Sequence, residues 1–324
     1  MRAKNWCARP RCLLHRGGTA TVGVSLVLLA AVCFGSMPAL ARIAYESGAD
    51  TYTFLACRFV ICAVLLWLWV VWRHALLPRG SFLRAVVLLG AIGYSGQSVS
   101  YFLAVRWAPI TVVAPLSYSY PIFVVLLAKL TKGEPLTAAK TVAVFLAVLG
   151  AALTAGAGGH IELAGAALAL GSGVIYSIYL TICARVLPRG SSIGATAVTV
   201  TATAVVFCTI SLARAAHSRL PGDATGWVAT AVIAVVTAVG IFALFEGVQR
   251  IKPVTTAVAS VIEPVVAVLL AVAFLGEVMT LEQVIGFVLV VAAVVTARTS
   301  LPGSFTSAGG SGFRHSEPDT RNNS

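Results

Sequence analysis

The sequence predicts an all-α membrane protein of ten transmembrane helices, built as two inverted five-helix repeats with both termini cytoplasmic. Three observations predict it: apolar stretches of membrane-spanning length, a gapless internal self-match, and a one-sided distribution of Lys and Arg. Of 324 residues, 59% are hydrophobic and only 10% charged, and the mean hydropathy is +0.94. A soluble domain carries about 25% charged residues, so this set could not cover a water-exposed surface.

Apolar spans fall near 22–42, 52–72, 83–105, 110–130, 137–155, 162–184, 193–213, 226–246, 254–275 and 281–298. Each is roughly 20 residues, about 30 Å of helix, which matches the hydrocarbon core. The basic opening MRAKNWCARPRCLLHRGG resembles the start of a signal peptide. The apolar run after it is longer than the roughly 7–15 residues of a signal segment, and more spans follow, so a retained first helix is expected.

With the N-terminus inside, eighteen Lys and Arg lie in inside segments and four outside (Arg42, Arg106, Arg214, Arg219), leaving Arg58 within a span. This is the positive-inside pattern. It makes the net charge of +12 a topology signal. Nucleic acid is excluded as a partner, because no basic, aromatic-interleaved soluble segment exists. Seven cysteines (Cys7, Cys12, Cys33, Cys57, Cys62, Cys183, Cys208) are odd in number and lack zinc spacing, so they read as small hydrophobes rather than a disulfide framework.

The organisation expected is a basic cytoplasmic N-terminus at 1–21, a first repeat at 22–155, a second at 162–298, and a polar, Gly/Ser-rich cytoplasmic tail at 299–324. AGAGGH at 155–160 separates the halves. The repeat is visible directly: the 34-residue segment from Ala104, AVRWAPITVVAPLSYSYPIFVVLLAKLTKGEPLT, overlies GVQRIKPVTTAVASVIEPVVAVLLAVAFLGEVMT from Gly247 at a constant offset of 143. Pro121 falls on Pro264, Gly133 on Gly276 and Glu134 on Glu277. With five spans per half, the second copy enters the membrane from the opposite face, as in many secondary transporters.

These residues resemble the drug/metabolite transporter superfamily, and within it the EamA-type transporters with two repeats of five helices. The resemblance covers about residues 23–298. It is carried by FGSMPALARIA followed by FLACRFVICAVLL, by the Ala104 segment, and by EPVVAVLLAVAFLGEVMTLEQVIGFVLVVAAVV. The most specific phrase, Pro-x11-Gly-Glu followed shortly by Thr, occurs twice in register. Phe34 stands where the family often has Trp, and YSIYLTICARVL matches the repeat opening loosely. The resemblance implies a ten-helix carrier of small metabolites, with helices 1, 3, 4, 6, 8 and 9 around a central cavity.

Candidate site residues follow from polarity inside apolar spans. Glu263 sits near the middle of the ninth span, where a carboxylate is costly unless protonated, paired or in a water-filled cavity. Thr256, Ser260 and Ala267 share its helical face, and Pro264 frees a backbone carbonyl one turn earlier. Glu263 reads as a proton-coupling or cation-binding group, against the alternative of a structural acid. Arg58 is the sole basic residue within a span. It either snorkels and pins helices through carbonyls, or serves as counter-ion to Glu263 or to an anionic substrate. Tyr94, Gln97, Ser98 and Tyr101 form one face of the third span at i, i+3, i+4 and i+7. The sixth repeats the pattern with Ser172, Tyr176 and Tyr179, and the fourth adds Ser117, Tyr118 and Tyr120 ahead of the helix-kinking Pro121. Cavity lining and interhelical hydrogen bonding, worth about 0.6 kcal/mol each, are the two readings of these groups. Glu134 and Glu277 read as capping or turn residues, and Arg106, Trp107, Arg250 and Lys252 as interface anchors.

Gly93-Tyr94-Ser95-Gly96 matches the GxSG of intramembrane serine proteases, but the five histidines all lie outside the spans, so no base is at hand. HExxH and GxxxxGK are absent, so no enzyme activity, metal or nucleotide cofactor is expected. The function expected is a secondary active transporter in a plasma (cell inner) membrane. It would export a small metabolite or amino acid by alternating access in exchange for protons. A non-transporting scaffold is the rival. Lipid, substrate and protons are the expected partners, and a homodimer is compatible with the sequence.

Overall fold

A computed structural model describes residues 15–132, 137–156, 163–186, 193–248, 250 and 262–299. All regular structure among them is helical: α1 His15–Glu46, α2 Thr51–Trp72, α3 Gly80–Leu88, a π-helical turn Leu89–Tyr94, α4 Ser95–Trp107, α5 Ile110–Tyr118, α6 Tyr120–Lys132, α7 Ala138–Gly156, α8 Leu163–Val186, α9 Ile193–Ala213, a short 3₁₀ turn Ala215–His217, α10 Ala224–Val248, α11 Ile262–Leu275 and α12 Leu281–Thr299. Helix is the physical default for such a chain, because only internally satisfied backbones survive in hydrocarbon. Among the described residues, seven helical stretches are long and apolar enough to cross a membrane. They are Thr21–Glu46, Thr51–Trp72, Gly80–Trp107, Ile110–Leu127, Leu163–Cys183, Ile193–Ala213 and Ala224–Leu244. Three shorter apolar helices, Thr141–Thr154, Ile262–Leu275 and Leu281–Thr296, accompany them. Part of the ninth expected span, 254–261, lies outside the described residues.

The helices pair across the two halves. α1 packs on α10 and α11, α2 on α9, α4 on α8, and α7 on α12. Glycines set the closest approaches. A Cβ on Gly150 would lie 2.6 Å from the Gly286 carbonyl oxygen, and a Cβ on Gly286 the same distance from the Gly150 oxygen. The two backbones of α7 and α12 thus touch directly, as small residues permit inside a bilayer. A Cβ on Gly35 would meet the Glu263 carbonyl oxygen at 2.6 Å, so α11 is drawn against α1 at the level of that acid.

Two spans depart from uniform helix. The third carries the π turn: Ser95 Oγ donates to Gly90 O at 2.8 Å, and Thr203 Oγ1 of α9 donates to the same oxygen at 2.9 Å. Such turns re-aim the residues that follow, and here Tyr94 is the last residue of the turn. The fourth span breaks at Ser119, between α5 and α6, and Pro121 lies in the first turn of α6, where a missing N–H costs nothing.

Polar side chains close the helix ends. Asp50 caps α2 by accepting from Tyr52 N at 3.0 Å and Thr53 N at 3.3 Å. Its other oxygen accepts from Arg219 N at 2.8 Å, which ties the α1–α2 turn to the α9–α10 loop. Gly222 N adds a bond to Ser47 O at 2.8 Å. Thr280 and Gln283 form a reciprocal capping box at the start of α12, with bonds of 3.0 and 3.3 Å. Cys33, Cys57, Cys62, Cys183 and Cys208 are free thiols; Cys7 and Cys12 lie outside the described residues.

Candidate functional site

A cavity of about 210 Å³ lies where the two repeats meet. Its wall includes Val27, Ala30, Ala31, Phe34 and Met37 of α1, Arg58 of α2, and Tyr94, Gln97, Ser98, Tyr101 and Phe102 of the third span. Ser117, Tyr118 and Tyr120 of the fourth span, Ser172 and Tyr176 of α8, Leu244 of α10 and Glu263 of α11 complete it. The polar stripe of the third span reaches the cavity as a unit: Tyr94, at the end of the π turn, and Gln97, Ser98 and Tyr101 of α4 all border it, as their i, i+3, i+4, i+7 spacing on one helical face requires.

Glu263 is only partly buried, and Tyr118 Oη donates to its Oε1 at 2.7 Å. The bond joins α5 of the first repeat to α11 of the second. Under the offset of 143, Glu263 occupies the position of Tyr120 in the first repeat. The two halves therefore bring a phenol and a carboxylate to equivalent places, and the cavity is chemically asymmetric.

Arg58 is 3% exposed. Its Nε donates to Thr237 Oγ1 at 3.1 Å and its Nη2 to the Met37 sulfur at 3.1 Å. The guanidinium lies 4.8 Å from the Phe59 ring centroid and 4.7 Å from that of Phe102, distances at which cation–π attraction operates. Nη1 has no hydrogen-bond partner. The sequence left pairing with Glu263 open; in the structure Arg58 is held by Thr237, Met37 and two rings instead. Thr237 can accept because its own hydroxyl proton goes to Ile233 O at 2.6 Å.

The remaining candidates sort by their partners. Ser117 Oγ donates to Ala169 O at 3.1 Å and Ser172 Oγ to Ser117 Oγ at 3.0 Å, so this pair ties α5 to α8 while bordering the cavity. Tyr179 stands behind the wall, stacked on Tyr94 at 5.9 Å and Tyr176 at 6.0 Å, and Tyr176 meets Tyr120 edge-on at 4.8 Å. Ser95 of the GxSG match is 4% exposed and its hydroxyl is spent on Gly90 O. Ser260 and Thr256 lie outside the described residues, and Pro264 is buried next to Glu263.

Sequence reasoning missed Met37, Phe102 and Thr237 as site residues and omitted α2 from the cavity wall. Thr237 carried a signal, since it is the repeat equivalent of Tyr94. Glu277 carried another. Its Oε1 and Oε2 accept from Ile110 N at 2.8 Å and Thr111 N at 2.9 Å, so it caps α5 across the repeat boundary rather than the helix that follows it. Arg42 lies 3.9 Å from the same carboxylate and donates to Ala108 O at 2.7 Å. Glu134, its repeat equivalent, lies outside the described residues.

The model of the EamA-like transporter family matches residues 21–156 and again 163–299. The chain belongs to this family. The two matched blocks are the two repeats read from the self-match, and the assignment agrees with the motif resemblance. A relative, the uncharacterized transporter YcbK of Bacillus subtilis (strain 168), is 27% identical over 281 residues, covering 82% of this chain and 89% of its own. A solved structure, described only as the crystal structure of a protein, superposes with a TM-score of 0.61 at 20% identity. It covers 86% of this chain and 98% of its own, and it supports the fold alone. The chain is accordingly a multi-pass membrane protein of a transporter family.

Proposed function

We propose that the chain is a ten-span secondary active transporter that exports a small metabolite or amino acid by alternating access, in exchange for protons carried by Glu263. The observation that carries this reading is the Tyr118–Glu263 bond of 2.7 Å inside a cavity walled by both repeats. A carboxylate at that depth is costly, and placing it where two repeats move against each other gives the cost a use. Ionised, it accepts a charge-assisted bond from Tyr118; protonated, it accepts only the weaker neutral bond through its carbonyl oxygen and gains a donor of its own. Those two states differ in what links α5 to α11, which is what coupling a proton to a rocking motion requires.

Size supports a small cargo. The cavity volume of about 210 Å³ is below the roughly 300–1,000 Å³ of pockets for drug-sized ligands. Tyrosine faces and hydroxyls around it suit a molecule with both apolar and polar parts. The positive-inside count supports cytoplasmic termini, with the Asp50–Arg219 and Glu277–Ile110 contacts on the outer side, and the basic N-terminal segment favours a plasma (cell inner) membrane. The test is counterflow in proteoliposomes loaded with a panel of unlabelled amino acids and small organic acids. Accumulation of the matching radiolabelled compound supports the proposal. Absence of counterflow for every compound, with the protein folded and inserted, contradicts it.

A further inference from the structure

We propose that Arg58 and Tyr101 together form an anion subsite that seats the carboxylate of a monocarboxylate cargo. This rests on the reading of the cavity as the cargo site and goes beyond it by naming the chemical class. A guanidinium offers five N–H donors in a fixed fork and matches a carboxylate edge to edge. Here the fork is poorly used. Thr237 is a neutral acceptor, the Met37 thioether is a weak one, and Nη1 has no partner. A buried charge is tolerated when it is paired, yet no carboxylate lies within ion-pair distance of Arg58 among the described residues.

Tyr101 makes the same point from the facing helix. It is 8% exposed, borders the same cavity, and its Oη is also buried without a partner. Buried unpartnered donors are rare and expensive. Two of them on side chains of one cavity wall, one charged and one phenolic, are a matched pair of donors for an oxyanion. Both atoms are covered in this conformation, so only a group that displaces neighbouring wall side chains reaches them. Phe59 and Phe102 flank the guanidinium, which raises its attraction for an anion by keeping solvent away.

Charge selects a monoanion. Arg58 is the sole cation and Glu263 the sole anion among the described lining residues. A cargo with two negative charges would meet repulsion from Glu263 with only one cation to offset it. A single carboxylate at Arg58 leaves the other end of the cargo toward the Tyr118–Glu263 pair.

The experiment uses the full chain purified in detergent and follows thermal unfolding by tryptophan fluorescence. The probes are acid–amide pairs: leucine with leucinamide, and 4-methylpentanoate with 4-methylpentanamide. The proposal expects the acids, and not their amides, to raise the unfolding midpoint of the wild type. Arg58→Gln should abolish that difference. Tyr101→Phe, which removes only an unpartnered hydroxyl, should weaken acid binding by roughly ten- to a hundredfold, the worth of one hydrogen bond to a charged group. Equal stabilisation by acid and amide, no stabilisation by any acid, or acid selectivity that survives Tyr101→Phe and Arg58→Gln would each overturn it. Counterflow of an uncharged compound alongside such a result would leave the transporter reading intact and remove only the subsite. If Arg58→Gln fails to fold, the Tyr101→Phe arm and Arg58→Lys, which keeps charge but loses the fork, decide the question.

Discussion

Tyr118 Oη sits 2.7 Å from Glu263 Oε1, and the bond links the first repeat to the second at the cavity wall. Nothing in the local sequence of either residue announces the other, since they are 145 positions apart. The bond arises because the fourth span breaks at Ser119 just beyond Tyr118, while the fit of Gly35 against the Glu263 carbonyl draws α11 inward.

Replacing Tyr118 by Phe removes the hydroxyl and keeps the ring. A hydrogen bond to a charged group contributes about 1.5–3 kcal/mol. If the bond serves coupling, Tyr118→Phe slows proton-coupled flux by roughly tenfold or more, in addition to the lowered unfolding midpoint that losing the bond brings. Flux measured at saturating cargo checks this, and an unchanged rate would mean the bond is structural.

Glu277 holds the N-terminus of α5 with both carboxylate oxygens. Glu277→Ala leaves two first-turn N–H groups without that acceptor, a loss of about 1–2 kcal/mol by analogy with N-cap deletions. A lowered thermal midpoint is the expected readout. Glu277→Gln, which keeps one carbonyl acceptor, should fall between the two.

The α7–α12 contact leaves no room for a methyl group. Gly286→Ala places a Cβ within 2.6 Å of the Gly150 carbonyl and close to Thr154, and the neighbour is backbone. Overpacking of this kind costs about 1–3 kcal/mol. The variant should melt at lower temperature while Gly48→Ala, which meets no heavy atom within 4 Å, is strained through its φ of +94° instead. Comparing the two separates crowding from backbone strain.

Much of this architecture was legible in the sequence because bilayer proteins write their constraints in composition. Apolar length marked the helices, and the offset between Pro121 and Pro264 marked the repeat. The i, i+3, i+4, i+7 spacing of Tyr94, Gln97, Ser98 and Tyr101 put four residues on one face, and all four border the cavity. The π turn at Leu89–Tyr94 was not legible. It is sustained by Ser95 and by Thr203 from another helix, both bonding to Gly90 O, and helical periodicity carries no sign of a cross-helix bond. The partners of Arg58 were hidden for the same reason. Thr237 and Met37 are 179 and 21 positions away, and which acceptor meets a buried cation is decided by packing between helices.

The central claim is that Glu263 carries the proton. Proteoliposomes containing a pH-sensitive dye, given a cargo identified by counterflow, test it most directly with wild type beside Glu263→Gln. The amide still accepts a hydrogen bond from Tyr118, so the variant should fold and bind. The account predicts cargo-driven proton movement in wild type and none in Glu263→Gln. Proton movement of equal size in the variant would contradict it.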